Sequence, residues 1–323
     1  MFGFMFQAFW AGLRVEAVDL VWGTSPTLFQ AFAATLLAKI HRKPLLLEIR
    51  DIWPEALVDI GALKNPAAIA LSRFLARWMY RQAAAIVINS PGFREHLLAA
   101  GVPAGKIHLV PNGVDTRLFD PDADPGPLRQ QLGWTDQFVV LYSGAHGMAN
   151  DLDTVLDAAD LLRDQPHIVV AFLGDGPEKA RLQARAAELR LDRVVFLEAC
   201  PKQAMPGMLD AADACLAHLK PSAMQAMVYP NKVFDYMAAA RPTILGIGGV
   251  IRAVMDEAEG GLWVPCGDAP AMAAAIRTLA GDRERGRAMG RRARSYVETH
   301  FQRQALARPL LAALAACGLD LPA

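Results

Sequence analysis

The sequence has 323 residues, of which 53% are hydrophobic and 20% charged; this composition can bury two sizeable cores and excludes a disordered chain. Its 33 lysines and arginines balance its 33 aspartates and glutamates, so the net charge of +0 excludes a general electrostatic binder of nucleic acid. Four scattered cysteines without a C-x-x-C pair exclude a zinc ribbon.

The first segment, residues 1–13, is apolar but too short to span a membrane. Its first charge, Arg14, lies at the far end, so the segment does not have the basic start of a signal peptide. We expect it to be the tail of a helix that packs on a sheet.

The next hundred residues alternate between strand-like and helix-like stretches. Short apolar runs predict strands at 18–22, 45–49, 85–89 and 107–110. Helical stretches lie between them, for example at 28–40 and 66–83. This alternation is typical of a parallel sheet that is covered by helices on both faces.

A composition typical of a linker follows at residues 120–127 (DPDADPGP). Asp122 and Asp124 form a D-x-D pair there, but no strand flanks them, so we interpret them as linker residues and not as metal ligands. Beyond the linker the alternation restarts. Strands are predicted at 138–142, 168–173, 194–197, 214–217, 243–247 and 262–264, and the last 55 residues predict helix only.

The fold class is therefore α/β, with two doubly wound, Rossmann-like domains. We place the first domain at 1–120, the linker at 121–136, the second domain at 137–300 and a carboxy-terminal helix at 301–323. The first domain has four predicted strands against six in the second. At about 30 residues per β-α unit, we expect two or three units to be missing from its front.

Ligands of open α/β sheets bind outside the carboxyl ends of the strands, so the residues after each strand are candidates. Gly144 to Gly147 follow the first strand of the second domain, where small residues let backbone N–H groups approach a ligand. Residues 174–177 (GDGP) follow the next strand, and we interpret them as a turn before a helix.

A predicted helix at 231–240 carries Lys232 in its first turn. A cation there opposes the helix dipole, which favours a phosphate bound at the same helix end and shared by the lysine. Asp235, one turn on, could accept hydrogen bonds from a ribose diol. The alternative is a Lys232–Asp235 surface pair, and the local pattern leaves both open.

In the first domain, Arg50 and Asp51 end a strand beside Glu48, Trp53 and Glu55. A cluster of polar side chains at the end of a buried strand favours a functional site over a structural ion pair.

A helix at 71–82 places Arg73, Arg77 and Arg81 on one face, with Phe74 and Trp78 alongside. A basic stripe beside aromatic side chains suits an anionic membrane surface, and an ordinary solvated face is the alternative.

Seven phrases carry a resemblance to a known family. They are TSPTLFQAFAA (24–34), EIRDIWPEALVDIGAL (48–63), VINSPGFREHL (87–97), IHLVPNGVDTRLF (107–119), LYSGAHGMANDLDTVLDAA (141–159), FLGDGPEK (172–179) and YPNKVFDYMAAARPTI (229–244). The sequence resembles the GT-B glycosyltransferases of the retaining family-4 type. In particular it resembles the subgroup that builds bacterial surface polysaccharides by transferring N-acetylated aminosugars such as N-acetyl-fucosamine.

The resemblance implies a UDP-sugar donor in the second domain, with Lys232 at the diphosphate and Asp235 at the ribose. The implied donor-binding residues are Gly144, His146, Gly147, Asn231, Lys232 and Asp235. Arg50 and Asp51 are expected to face the reaction centre and, with Lys232, to be catalytic. No metal or other cofactor is expected, because Lys232, the helix dipole and the glycines stabilise the leaving diphosphate.

The implied acceptor is a lipid-linked sugar, commonly on a polyprenyl diphosphate. The enzyme is therefore expected in the cytoplasm, peripheral on the inner face of the cytoplasmic membrane, with an anionic membrane surface but no nucleic acid as a partner.

Three departures from the family are visible. The family's Glu-x7-Glu pattern has Met227 at its first position and Asp235 at its second. Many members have histidine at the position of Arg50. The amino-terminal strand and its Gly-rich loop are missing, so we expect a truncated chain. Two alternatives follow: a non-catalytic nucleotide-sugar-binding remnant, and a UDP-N-acetylglucosamine 2-epimerase on the same fold.

Overall fold

The computed structural model describes residues 2–25 and 27–320. Three parts of the predictions lie outside the described residues: Met1 of the apolar first segment, Pro26 of the first matched phrase, and residues 321–323 of the predicted carboxy-terminal helix. The chain divides into two compact units. The first comprises Met1–Asn112, Ser222–Tyr229 and Gln304–Ala323, and the second comprises Gly113–Pro221 and Pro230–Arg303.

The first unit contains a parallel sheet, four-stranded within the described residues, in the order β1-β2-β3-β4. Its strands are β1 (Val21–Ser25), β2 (Leu45–Ile49), β3 (Ala85–Ile88) and β4 (Ile107–Leu109). Its first helices are α1 (Phe2–Leu13), α2 (Leu28–His41), α3 (Glu55–Asp59), α4 (Pro66–Gln82) and α5 (Phe93–Ala99). The near-continuous apolar runs become strands because helices bury both of their faces.

Helix α4 shows how local sequence sets an element boundary. Asn65 precedes the helix, and its side-chain oxygen accepts hydrogen bonds from the N–H groups of Ala67 and Ala68. Pro66 stands at the first helical position, where its missing N–H costs nothing. The helix packs against α2, and the ring centroids of Phe32 and Trp78 lie 5.7 Å apart.

The second unit contains a parallel sheet, six-stranded within the described residues, in the order β10-β9-β8-β5-β6-β7. Its strands are β5 (Phe138–Ser143), β6 (Ile168–Leu173), β7 (Val194–Leu197), β8 (Ala214–His218), β9 (Thr243–Gly246) and β10 (Gly261–Trp263). Its helices are α6 (Gly126–Gln131), α7 (Leu152–Asp160), α8 (Lys179–Glu188), α9 (Met205–Asp210), α10 (Asn231–Ala238), α11 (Gly249–Ala258), α12 (Ala269–Gly281) and α13 (Arg283–His300). The predicted fold class, two doubly wound α/β domains, is confirmed.

The boundary between the two units does not lie where the sequence predicts a linker, at 121–136. Residues from Gly113 onwards already belong to the second unit, where the Val114 N–H donates to the Phe301 carbonyl at 2.9 Å. The last helix, α14 (Ala307–Ala316), belongs to the first unit and packs on β3 and β4.

The apolar first segment forms helix α1, which packs against α2, where Leu37 approaches Gly12. Phe6 and Trp10 remain more than half exposed, so much of this helix is open to solvent. Among the described helices, none has both the length and the apolar character needed to cross a bilayer.

Candidate functional site

The strand order of the second unit marks a candidate site. From β5 the chain builds β6 and β7 on one side, and then crosses to build β8, β9 and β10 on the other. Ligands of such sheets bind at the carboxyl ends of the strands where the order reverses, here β5 and β8. Gly144 to Gly147, named here the glycine loop, directly follow β5 and therefore lie at this point.

A buried tyrosine fixes the start of the glycine loop. The Ser143 N–H donates to the Tyr236 hydroxyl oxygen at 3.0 Å. That hydroxyl in turn lies 3.2 Å from the Ser143 carbonyl and 3.4 Å from the Leu216 carbonyl, both acceptors. Helix α10 therefore holds together the ends of β5 and β8.

Glycine is required where the glycine loop meets the turn after β6. At Gly174, with φ +142°, a Cβ atom would lie 2.0 Å from the Gly144 carbonyl oxygen. At Gly176, with φ +157°, it would lie 2.5 Å from the His146 carbonyl oxygen. The interpretation of residues 174–177 as a turn fits this arrangement, but helix α8 begins only at Lys179. The turn also supports the glycine loop.

Lys232 extends from the first turn of α10 to the glycine loop. Its Nζ atom is buried, and among the described residues it has no hydrogen-bond partner. It lies 3.9 Å from the centroid of the Tyr142 ring, and a Cβ atom at Gly144 would be only 2.8 Å away from it. Burial lowers the pKa of Lys232 to about 7.

His146 lies on the inner side of the same loop and is fully buried. The rings of Tyr142, Phe172 and Phe196 surround it at centroid distances of 6.0 to 6.2 Å. Within the described structure neither ring nitrogen has a hydrogen-bond partner. Burial lowers the pKa of His146, and the charge of Lys179 lowers it further. The imidazole is therefore neutral at pH 7.

The first turn of α10 is suited to an anion. The described helix has no acidic residue in this turn, and Asn231, at its first position, is exposed. The partial positive charge of a helix N-terminus favours a bound anion there.

Asp235 lies one turn further along α10 and is half-buried. Burial raises the pKa of Asp235, and the charges of Lys202 and Arg303 oppose that rise. Within the described structure no ion pair joins Asp235 to Lys232, whose amine is directed to the glycine loop. The alternative of a Lys232–Asp235 surface pair is therefore wrong for this structure.

In the first unit, Arg50 and Asp51 follow β2, as the sequence predicts. Arg50 is exposed, while Asp51 is half-buried and its backbone carbonyl accepts a 3.3 Å hydrogen bond from the Ser25 hydroxyl. Burial raises the pKa of Asp51, and the charge of Arg50 opposes that rise. Their catalytic role stays a prediction.

The predicted basic stripe lies on α4, with Arg73, Arg77 and Arg81 exposed. Arg73 forms a 2.9 Å ion pair with Glu55, which partly neutralises one end of the stripe. Phe74 is 59% exposed, so it is a surface residue and not part of the core.

Sequence reasoning missed Tyr142 and Tyr236, which place Lys232 and Ser143. An aromatic residue at the carboxyl end of a strand, as in FVVLY, was the available signal for Tyr142.

Met227, at the first position of the family's Glu-x7-Glu pattern, packs against the core of the first unit, and its carbonyl accepts a 2.5 Å hydrogen bond from the Ser90 hydroxyl.

Chemically, the second-unit site is suited to an anion, because within the described structure its buried amine has no acidic partner. It combines a buried amine, a helix N-terminus and closely packed glycine backbone. Within the described residues no group of His, Cys, Asp and Glu is arranged to hold a metal ion. Such donors can bind an anion that has several acceptor oxygens, such as a phosphate.

Comparison with known proteins gives the family. Residues 137–282 match the family described as "Glycosyl transferases group 1", and residues 2–113 match "Glycosyl transferase 4-like domain". The putative colanic acid biosynthesis glycosyl transferase WcaI of Escherichia coli K12 is 31% identical over 233 residues, 70% of this chain and 57% of WcaI. The sulfoquinovosyl transferase SQD2 of Arabidopsis thaliana is 24% identical over 293 residues, 89% of this chain and 54% of SQD2. The chain thus spans little more than half the length of these curated relatives.

Among solved structures, HepE of Anabaena, crystallised with UDP and glucose, superposes with a TM-score of 0.81 at 18% identity. The match covers 97% of this chain and 82% of HepE. At this identity the similarity shows the fold alone, which is a parallel-sheet α/β fold in each unit.

Proposed function

The chain belongs to the glycosyl transferases of the GT-B fold, with a 4-like domain followed by a group 1 domain, and on this premise we propose that it is a retaining glycosyltransferase that uses a UDP-sugar. The sugar is transferred to a lipid-linked or polysaccharide-precursor acceptor. HepE, which shares the fold, was crystallised with UDP, and this supports the choice of nucleotide.

One observation carries the proposal: the amine of Lys232 is buried where the strand order of the second sheet reverses, and it has no hydrogen-bond partner in the described structure. A buried amine without an acceptor is costly unless a ligand supplies one. The donor's diphosphate would supply several oxygens at this place. Asp235, one turn further along α10, is the residue proposed to hold the ribose.

The proposed mechanism follows from charge. The C1–O bond of the donor breaks, and the diphosphate leaves as an anion that Lys232, the α10 N-terminus and the backbone of the glycine loop stabilise. The acceptor hydroxyl then attacks the oxocarbenium-like centre from the face that the diphosphate leaves and gives its proton to the departing diphosphate oxygen, so the anomeric configuration is retained. Arg50 and Asp51 are proposed to serve this step from the first unit.

The finer assignment is an N-acetylated aminosugar for a bacterial surface polysaccharide. It is supported by the matched phrases of the sequence and by WcaI, whose name places it in colanic acid biosynthesis. The acceptor is proposed to be a polyprenyl-diphosphate sugar.

For a lipid-linked acceptor we propose attachment to the cytoplasmic face of the membrane through α4. Arg77 and Arg81 are exposed, and Phe74 is exposed beside them. Each arginine near an anionic surface contributes about 1 kcal/mol, screened by salt. We expect flotation with anionic liposomes at low salt that is lost at high salt. A variant with arginines 73, 77 and 81 replaced by glutamine that floats as well as wild type would refute this contact.

The activity itself is tested by incubating the full chain with UDP-N-acetylglucosamine and other UDP-sugars, with and without a polyprenyl-diphosphate sugar in detergent. We expect UDP release that depends on the acceptor, an unchanged anomeric configuration by NMR, and loss of activity in Lys232→Ala. A product formed from the UDP-sugar alone would instead indicate an epimerase. The absence of turnover with every donor, in a protein that binds UDP, would favour a non-catalytic binding protein.

A further inference from the structure

The ammonium form of Lys232 would be poorly solvated in the protein as it stands. An ammonium group has three donors, yet the buried Nζ atom has no acceptor within the described structure. The Nζ atom lies over the face of the Tyr142 ring, 3.9 Å from its centroid, and close to Gly144. A π-face offsets only a small part of the loss of water around a buried charge.

The titratable groups around Lys232 do not replace the missing counter-charge. Tyr142 faces it from β5, and its hydroxyl already donates to the Ala145 carbonyl at 2.7 Å. His146 faces it from the glycine loop as a neutral ring, and Lys232 itself lowers the pKa of that ring. On α10, Asp235 forms no ion pair with Lys232 within the described structure, and the Tyr236 hydroxyl is hydrogen-bonded to Ser143. Burial therefore dominates, and it lowers the pKa of Lys232 to about 7.

We propose that the donor site takes up a proton when a nucleoside diphosphate binds: at pH 8 Lys232 is largely uncharged in the free protein and becomes an ammonium ion against the diphosphate. This rests on the proposed function. The proton comes from the solvent, and the diphosphate oxygens accept the hydrogen bonds of the three N–H groups. The ligand-free site therefore does not hold an unpaired buried cation. Lys232 carries its full positive charge when the diphosphate leaves the sugar.

The size of the uptake follows from the two protonation states. With a free pKa of about 7, roughly nine-tenths of the amines are uncharged at pH 8, so about 0.9 proton per bound diphosphate is taken up there. At pH 6 the uptake falls to about 0.1. Above pH 8 the dissociation constant should rise about tenfold per pH unit, because each binding event then requires a scarcer proton.

The test is calorimetry of UDP binding to the full chain at pH 8, in several buffers that differ in ionisation enthalpy. At this pH the terminal phosphate of UDP, with a pKa near 6, no longer titrates. We expect about 0.9 proton per UDP in wild type, no uptake with uridine, and no uptake with the residual UDP binding of Lys232→Met. The variant Lys220→Met, at an exposed lysine, should keep the uptake.

UDP binding whose heat is the same in all buffers would overturn the inference while leaving the proposed function standing. Uptake that survives Lys232→Met would also overturn it, since the proton would then belong to another group. Absence of UDP binding would overturn both. NMR titration of protein labelled at its lysine side chains gives a readout without any substitution. One lysine should titrate near pH 7 without UDP and remain charged at pH 8 with it; a free-state titration near 10 would contradict the inference.

Discussion

Replacing Lys232 by methionine should stabilise the ligand-free protein. Methionine has a similar length and no charge, so it removes the cost of burying an amine whose Nζ atom has no partner in the described structure. The pKa of Lys232 is about 7 in the folded state against an ordinary 10.5, and one pKa unit corresponds to about 1.4 kcal/mol. At pH 7 the burial of the amine therefore costs wild type about 4 kcal/mol. Lys232→Met removes this cost but loses the contact with the Tyr142 ring, which contributes about 1 kcal/mol.

The stability that Lys232→Met gains over wild type should become smaller as the pH rises. Because the folded pKa lies below the unfolded one, the unfolded state of wild type binds more protons between pH 7 and 10.5, and wild-type stability increases with pH in this window. At pH 9.5 the cost of the buried amine falls to about 1–2 kcal/mol, so most of the advantage of Lys232→Met disappears.

The assay is urea unfolding of wild type, Lys232→Met and the exposed-site control Lys220→Met, at pH 7 and 9.5 without nucleotide. The control should change the free energy of unfolding by less than about 0.5 kcal/mol at either pH. A Lys232→Met protein that is less stable than wild type at pH 7, or whose difference from wild type is the same at both pH values, would refute the reasoning.

Three further substitutions test how the site is held. Gly174→Ala should destabilise the second unit by more than about 1 kcal/mol and weaken UDP binding, since its Cβ atom would lie 2.0 Å from the Gly144 carbonyl; urea unfolding and calorimetry measure both effects. Tyr236→Phe should cost about 1–3 kcal/mol in unfolding free energy, because the buried Ser143 N–H loses its acceptor. Asp235→Asn should weaken UDP and uridine by the same factor in calorimetry, since the proposed contact is to the ribose.

Each of these has a control or an opposing result. Gly281→Ala, where a Cβ atom meets nothing within 4 Å, should leave stability nearly unchanged. A Tyr236→Phe protein as stable as wild type would show that the hydroxyl is not needed to hold Ser143. Loss of UDP binding without loss of uridine binding in Asp235→Asn would remove this residue from the ribose.

Local patterns were enough to predict most of the fold. Strands β2 and β6 have their predicted bounds, because a short, mostly apolar run has few other solutions in a doubly wound sheet. Lys232 could be singled out because a cation in a first helical turn conflicts with the helix dipole.

Long-range packing could not be predicted from those patterns. The burial of His146 depends on Phe172 and Phe196, which are 26 and 50 residues away in the chain. The assignment of Ser222–Tyr229 to the first unit depends on contacts such as that between Ser90 and Met227, which no local periodicity encodes.

The central claim, that Lys232 lies at the diphosphate of a bound UDP-sugar, is tested most directly by calorimetry of UDP and of uridine with wild type and Lys232→Ala at pH 7. The loss of a charge-assisted phosphate contact predicts UDP binding weakened by roughly 10- to 150-fold, equivalent to about 1.5–3 kcal/mol, with uridine binding unchanged. An equal loss for both ligands, or a folded wild-type protein that gives no heat with millimolar UDP, would contradict the claim.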